Sequence, residues 1–548
     1  MFSLQVHWKI LPFLLIQLAT FNVGINGANI LACLSSASKS HHIMETTILE
    51  ELANRGHNVT VLSTFTRKKI LPETYHHIYI QISDEEEWST MRRNALNNVT
   101  KNDLNVFKGL PKILQITFQR SNLLMKHEAI QNLIKSDQHF DLFILDYNIN
   151  DMMLGLAGHF RIPSVILSTS PPMKMLRDMI GNPAAISSAP IFRHDGKTKK
   201  MGFRERLDLF IAYTIEYFIM TYINYIYFEP FYAEHFAKLD NFPTLNDVRK
   251  NVSLILTSTH FSEGLIRPML PNLIEISGVH IKEKTDPLPK NIEEILSTAD
   301  ANGVIVFCFG GNTRSADMSN DKVQMFYTVF SKLKQKVIWK WESNIYPPQK
   351  PDNIYMMPWI PQADLLAQQQ VKLFISHCGI GGLYEALFNG IPILGMPIMS
   401  DQFQNAERIK NQGWAIILDF DHLNETILND GIQEILNNST YKMKAQRVSQ
   451  LFRDRPMTPL QTAVYWIEYV IRYDGAKHMQ SSAVHLNIIQ SNSIDVILFL
   501  AIILYIFFKI SMKIVPRILK YRSLFILLPS IVVYMLLPLE MLWTENKK

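Results

Sequence analysis

The densest set of chemically useful residues runs from Trp359 to Asn405. It reads Trp359-Ile-Pro-Gln362, then Ser376-His377-Cys378-Gly379-Ile-Gly381-Gly382, then Glu385-Ala386, and it closes on Asp401-Gln402-Phe-Gln-Asn405. His377 ends a strand-like run, and Gly379, Gly381 and Gly382 open a helix. The free backbone amides and positive dipole of such a helix start stabilise a diphosphate. The indole of Trp359 offers a flat face for a base. Glu385, on the first turns of the same helix, can accept from two ribose hydroxyls, and Asp401 and Gln402 suit the hydroxyls of a sugar. A hydride-carrying dinucleotide is the rival, with Asp401 as the acid beyond the glycines. It fails on spacing, because the third glycine of G-x-G-x-x-G would fall on Tyr384.

If a sugar bound there is moved to a hydroxyl, a base must take the hydroxyl proton, and histidine titrates in the right range. His41 and His42 fall between the first strand-like run and the first helical run, where a helix N-terminus disfavours imidazolium. An acid should orient that base and support its charge. The apolar run Phe140-Asp141-Leu-Phe-Ile-Leu-Asp146 ends in one. Asp146, at the strand's end, is placed to face a cleft, whereas Asp141 at its start reads as a capping residue. Asp419-Phe-Asp421 is the one Asp-x-Asp in the donor half. It follows an apolar run outside the donor motif and reads as a turn, so no metal is expected.

These residues need elements to position them. Residues 28–35 read as a buried strand, 46–55 as a helix stopped by Gly56, and 59–63 as a strand, which is a β-α-β opening. The alternation resumes with strands at 303–309, 337–341, 373–376 and 391–394, and helices at 321–333 and 383–389. This pattern gives two α/β units on parallel sheets, with a break near 281–289, where two prolines cluster. The expected domains are 28–281 for the acceptor and 282–480 for the donor, with 452–475 packing back on the first. Between them, 210–232 holds ten aromatic residues. That stretch suits a core helix, a lipophilic pocket or a face on a membrane.

The 548 residues are 47% apolar and 19% charged, which excludes disorder for the bulk of the chain. The formal charge of +5 resides wholly in Lys509, Lys513, Arg517, Lys520 and Arg522. It is a membrane-flank signal and not a nucleic-acid surface. Three cysteines exclude a disulfide scaffold and a Cys-rich zinc module. Residues 1–27 read as a signal peptide, which makes Asn98, Asn251 and Asn424 candidate glycan sites. Residues 494–512 suit a membrane helix, and the basic flank after them belongs in the cytosol. The tail 513–548 carries a second apolar segment, 524–539, interrupted by prolines.

The segment from Trp359 to Asn405 resembles the signature of the UDP-glycosyltransferases of the GT-B fold, the membrane-bound animal enzymes above all. The likeness extends to Arg55-Gly-His57, Phe452-Arg-Asp-Arg-Pro456 and Trp466-Ile-Glu-Tyr469, and covers nearly the whole chain. It implies an α/β protein of two Rossmann-like domains facing a cleft, with a C-terminal transmembrane segment. It also implies inverting transfer from a UDP-sugar, glucose over glucuronate, to a small lipophilic acceptor, with UDP-sugar as co-substrate and no cofactor. By resemblance Trp359 stacks on uracil, and Gln362 and Glu385 hold the ribose. His377, with Gly379, Gly381 and Gly382, meets the diphosphate. Asp401 and Gln402 serve the sugar, Asn405 belongs to the same donor site, His41 is the base, and Asp146 is its partner. The partners are then the two substrates and a lipid bilayer, with self-association open. The setting is the endoplasmic reticulum membrane, with the catalytic domains lumenal. The terminal Lys547-Lys548 does not match the usual retrieval signal. The family's phosphate loop Ser-x-Gly-Ser is Cys308-Phe-Gly310-Gly311 here. Cys378 replaces a glycine and Gly382 a serine. Cys308 and Cys378 fall on loops that line one pocket, where they either fill two small sites or pair as a disulfide.

Overall fold

The computed structural model describes residues 27–36, 38–67, 70–81, 106–183, 201–236, 242–263, 266–311, 313–399 and 401–520. Residues 1–26 of the expected signal peptide, the Asn98 sequon and the apolar segment 524–539 lie outside them. Two compact units divide between Val484 and His485.

The first unit carries two parallel sheets. Strands β1 (Asn29–Leu34), β2 (Asn58–Ser63), β3 (Tyr75–Tyr79), β4 (Leu142–Asp146), β5 (Ser164–Ser168), β6 (Val252–Thr257) and β7 (Leu273–Glu275) lie in the order 3-2-1-4-5-6-7. Strands β8 (Val304–Cys308), β9 (Lys336–Lys340), β10 (Ile354–Met357), β11 (Val371–Ser376), β12 (Ile393–Gly395) and β13 (Ala415–Ile417) lie in the order 10-9-8-11-12-13. All five residues of β4 and of β8 are buried, as strands covered on both faces must be. Strand order reverses between β1 and β4 in one sheet and between β8 and β11 in the other. Ligands of open α/β sheets bind at the carboxyl ends of such strands, and both sets of candidate residues lie there.

Six helices build the site or its setting. Helix α1 (Lys39–Asn54) begins seven residues before the sequence expectation. Its first residues, Lys39-Ser-His-His42, are all polar, although His42 is buried, so the apolar period emerges only from Met44 onward. Helix α2 (Phe203–Ile223) buries Tyr213, Met220 and Ile223 in the core and exposes Phe203, Phe210, Phe218 and Tyr222 on its opposite side. The aromatic stretch is thus core on one face only. Helix α3 (Ile380–Phe388) follows β11, and α4 (Gln402–Gln412) follows β12. Helix α5 (Pro459–Arg472) starts on a Thr458–Gln461 capping box. It lies against α1 and β6 of the first sheet, with Glu468 3.4 Å from Arg55 Nη1. One buried cluster runs from Leu34, Met44 and Leu256 through Val304 and Leu383 to Ala463 and Ile467, joining both sheets.

The second unit begins at His485 and holds α6 (Ile494–Lys520). Its segment Ile494–Arg517 is long and apolar enough to cross a membrane. The helix runs eight residues past the expected end at 512, with Pro516 inside it.

Candidate functional site

His41 sits in the first turn of α1, at the carboxyl ends of β1, β4 and β5. Burial lowers its pKa to about 4, so the ring is neutral at pH 7. Its Nδ1 lies 2.9 Å from Thr169 Oγ1 and 3.5 Å from Ser36 Oγ. When Nδ1 carries the hydrogen and donates to Thr169, Nε2 keeps the lone pair that a base needs. Thr169 follows β5 directly, and the strand-end argument applied to Asp146 would have found it. The His42 ring is buried against Phe65, with centroids 5.0 Å apart, and neither of its nitrogens is hydrogen-bonded.

Asp146, expected to orient His41, is hydrogen-bonded not to the imidazole but to the loop that carries it. Its Oδ1 accepts from Ser35 N at 2.9 Å and Ser35 Oγ at 3.0 Å, and its Oδ2 accepts from Ser36 N at 2.6 Å. The carboxylate therefore fixes the β1–α1 loop that carries His41. Burial raises its pKa to about 6 against these hydrogen bonds. One turn along α1, Glu45 is buried with neither carboxylate oxygen hydrogen-bonded. Burial and the Asp146 charge push it well above the usual range. Nothing in the sequence marked it.

The other sheet brings its loops to the same place. A Cβ on Gly381 would stand 3.4 Å from Met44 Cε and 3.7 Å from Ser40 Cβ, and one on Gly311 would stand 3.7 Å from Lys39 Cβ. The start of α1 thus faces both glycine loops. Tyr384 Oη donates to Ser258 O at 2.5 Å, and the buried Arg408–Glu263 pair at 2.9 Å adds a second bridge between the sheets.

Gly310 has φ +82°, and a Cβ there would fall 2.6 Å from His377 Cε1. Only glycine allows both the turn and the approach. His377 is held neutral, its pKa lowered to about 3 by burial and by Lys340. The Lys340 ammonium donates to Gly310 O and lies 3.3 Å from Glu342 Oε1. The sequence reading placed no lysine at this loop. Lys340 ends β9 beside β8, so the adjacency appears only once the strand order is known. Helix α3 has Gly379 as N-cap and no side-chain cap, leaving its first amides without a side-chain acceptor.

Trp359 is 60% exposed. Gln362 Nε2 donates to Glu385 Oε2 at 2.5 Å, and His280 Nε2 lies 3.3 Å from Glu385 Oε1. A Cβ on Gly382 would stand 2.9 Å from Gln362 Nε2, so the missing serine side chain is space that Gln362 occupies. Asp401, its pKa raised by burial, accepts from Asn405 Nδ2 at 2.8 Å. Asn405 also donates to Cys378 O at 3.1 Å and accepts from Arg408 Nη2 at 3.3 Å. It works inside the network and not at its surface. Gln402 Oε1 accepts from Ile398 N and Met399 N at 2.8 and 2.9 Å, so only its amide group is left for a ligand.

Cys308 and Cys378 are free thiols, as is Cys33, and the considered disulfide is absent. Cys378 takes φ +63°, the left-handed conformation for which the usual glycine is suited. This turns Sγ against Gly395, where a Cβ would lie 2.4 Å from it. Cys308 Sγ instead accepts from Gly310 N at 3.3 Å. Asp419 caps a turn through Asp421 N and His422.

Two parallel Rossmann-like sheets, each offering its switch point to a shared cleft, define the class of GT-B glycosyltransferases. Solved neighbours agree on the fold. A UDP-glucosyltransferase from Polygonum tinctorium capable of glucosylating indoxyl superposes with TM-score 0.54 and 13% identity, over 81% of this chain and 99% of that one. The calicheamicin glycosyltransferase CalG4 does so with TM-score 0.52 and 14% identity, over 82% and 100%. The family model for UDP-glucoronosyl and UDP-glucosyl transferase matches residues 31–524, and the chain belongs to that family. It is 32% identical to UDP-glucosyltransferase 2 of Dactylopius coccus over 503 residues, 90% of this chain and 94% of that protein. It is 30% identical to human UDP-glucuronosyltransferase 2B15 over 505 residues, 89% and 92%. It is a UDP-glycosyltransferase enzyme.

Proposed function

We propose that the protein transfers glucose from UDP-glucose to a hydroxyl of a small lipophilic acceptor, with inversion at the anomeric carbon. The observation that carries this reading is the approach of the α1 start, with His41, to within van der Waals reach of the Gly311 and Gly381 loops. A base in the first sheet and a diphosphate cradle in the second then face one reaction volume. His41 Nε2 removes the acceptor proton as its oxygen attacks the anomeric carbon, and the bond to UDP breaks on the opposite side. Asp146 acts through the Ser35-Ser36 backbone and Thr169 through Nδ1, both keeping the ring in place. UDP leaves with its charge on the α3 amides and Lys340. Trp359 stacks on uracil, Gln362 and Glu385 hold the ribose, and Asp401 with the Gln402 amide meets the sugar.

In this reading, residues 28–281 form the acceptor domain and 282–480 the donor domain, with α6 anchoring them to the endoplasmic reticulum membrane after removal of 1–27. The domains are lumenal, and the role is conjugation of lipophilic compounds. UDP release from the detergent-solubilised full chain tests it, with UDP-glucose and UDP-glucuronate against a panel of phenols and steroids. Acceptor-dependent release, greater with UDP-glucose, supports the reading, and greater release with UDP-glucuronate overturns the choice of sugar. A second reading is a binding protein without turnover. The loss of both loop hydroxyls at Cys308 and Gly311 favours it, and UDP binding with no release for any acceptor would establish it.

A further inference from the structure

The chain leaves β7 at Glu275 and crosses to the second sheet through residues 276–289. The crossing begins with a turn in which Val279 N donates to Ile276 O at 3.1 Å and Ile281 N to Gly278 O at 2.9 Å. Gly278 takes φ +80°, and a Cβ there would lie 3.2 Å from the Phe452 ring. The turn delivers His280 onto α3. Its side chain is 6% exposed, Nε2 stands 3.3 Å from Glu385 Oε1, and neither ring nitrogen has a hydrogen-bond partner. A buried imidazole without a partner costs stability until one completes it, and the nearest anionic atom is Glu385 Oε1. A cavity of about 90 Å³, lined by His280, Thr285, Phe388 and Asn389, leaves the ring room to align.

We propose that His280 is a positioning residue of the nucleotide site, donating from Nε2 to Glu385 Oε1 and fixing the carboxylate that receives the ribose hydroxyls. This rests on the reading of Glu385 as the ribose acceptor. A carboxylate offers about four acceptor positions. Gln362 takes one on Oε2 and His280 takes one on Oε1, from opposite elements. Two positions remain, and a vicinal diol needs two. Without His280 the carboxylate can rotate about its last bond, and the geometry that distinguishes a diol is lost. His280 thus gives the crossing segment a direct role in nucleotide recognition.

The test compares dissociation constants of UDP and 2′-deoxy-UDP for the full chain in detergent. The wild type should prefer UDP about tenfold. His280→Met, which keeps bulk without a donor, should lose that preference, with donor KM rising about tenfold and kcat moving less than twofold. His280→Gln, whose amide reaches the position of Nε2, should restore it. Should His280→Met not fold, His280→Asn, whose amide falls short of that position, replaces it in the comparison. Glu385→Ala is the control. If Glu385→Ala retains the preference for UDP, the reading of Glu385 fails. If Glu385→Ala loses it while the non-donating His280 variant retains it, the role of His280 alone fails.

Discussion

Replacing Cys378 by glycine should give a more stable protein than replacing it by alanine. Both changes remove the same buried Sγ, which packs over Gly395, so that loss cancels in the comparison. What differs is the Cβ at a residue whose φ is +63°. A non-glycine residue in the left-handed region costs roughly 1–2 kcal/mol. Glycine gives back about 0.5–1 kcal/mol through the greater freedom of the unfolded chain. The balance favours glycine by roughly 0.5–1 kcal/mol, the reverse of the ordinary helix or strand ordering. At about 2.1 cal/mol/K per residue, and with some 450 folded residues, this is a difference of about 1 °C in unfolding midpoint. Replicate differential scanning fluorimetry of the three full-length proteins resolves it. Cys378→Ala should unfold lowest, with Cys378→Gly near the wild type. An alanine variant as stable as the glycine variant would refute the left-handed backbone at this position.

The site yields three further expected outcomes. An imidazole at the ordinary pKa of ~6.5 would be about three-quarters protonated at pH 6, whereas His41, at about 4, stays neutral. Any fall in kcat/KM between pH 7 and 5.5 should therefore trace to the neighbouring carboxyls Asp146, raised to about 6, and Glu45, raised by burial and by the Asp146 charge, and vanish in the double variant Asp146→Asn/Glu45→Gln; a fall near 6.5 that persists in that variant contradicts the assignment. Lys340→Met should weaken UDP by roughly tenfold and leave uridine binding unchanged, as calorimetry with both ligands would show, and an equal loss for both would remove Lys340 from the diphosphate. All three cysteines should alkylate in denaturant without reductant, and mass spectrometry showing a protected pair would contradict the free thiols.

The sheet architecture was legible because parallel strands buried on both faces read as unbroken apolar runs. The strand ending in Asp146 and the strand ending at Cys308 are examples. The start of α1 was not legible, because Lys39-Ser-His-His42 carries no apolar period: Lys39 and Ser40 lie beside the glycine loops of the other sheet, and His42 is a buried polar residue. Residue types and spacing nominated His377 and Glu385. Thr169, just past the end of β5, was within reach of the strand-end argument that found Asp146, but Lys340 and His280 were hidden for another reason. Each acts beside a residue distant in sequence, through strand order or a turn that periodicity does not encode. Asn405 and Gln402 stood in the right motif, yet their polar atoms are largely spent on neighbouring backbone and side chains. Types and spacing could nominate them but could not tell which atoms remain free.

The most direct test of the central claim is His41→Ala, assayed for sugar transfer and for UDP affinity on the same preparation. A general base contributes about 10²–10⁴-fold. The account predicts a fall in kcat of that size with the UDP dissociation constant within twofold of wild type. Transfer within tenfold of wild type, with UDP affinity intact, would contradict the assignment of His41 as the base.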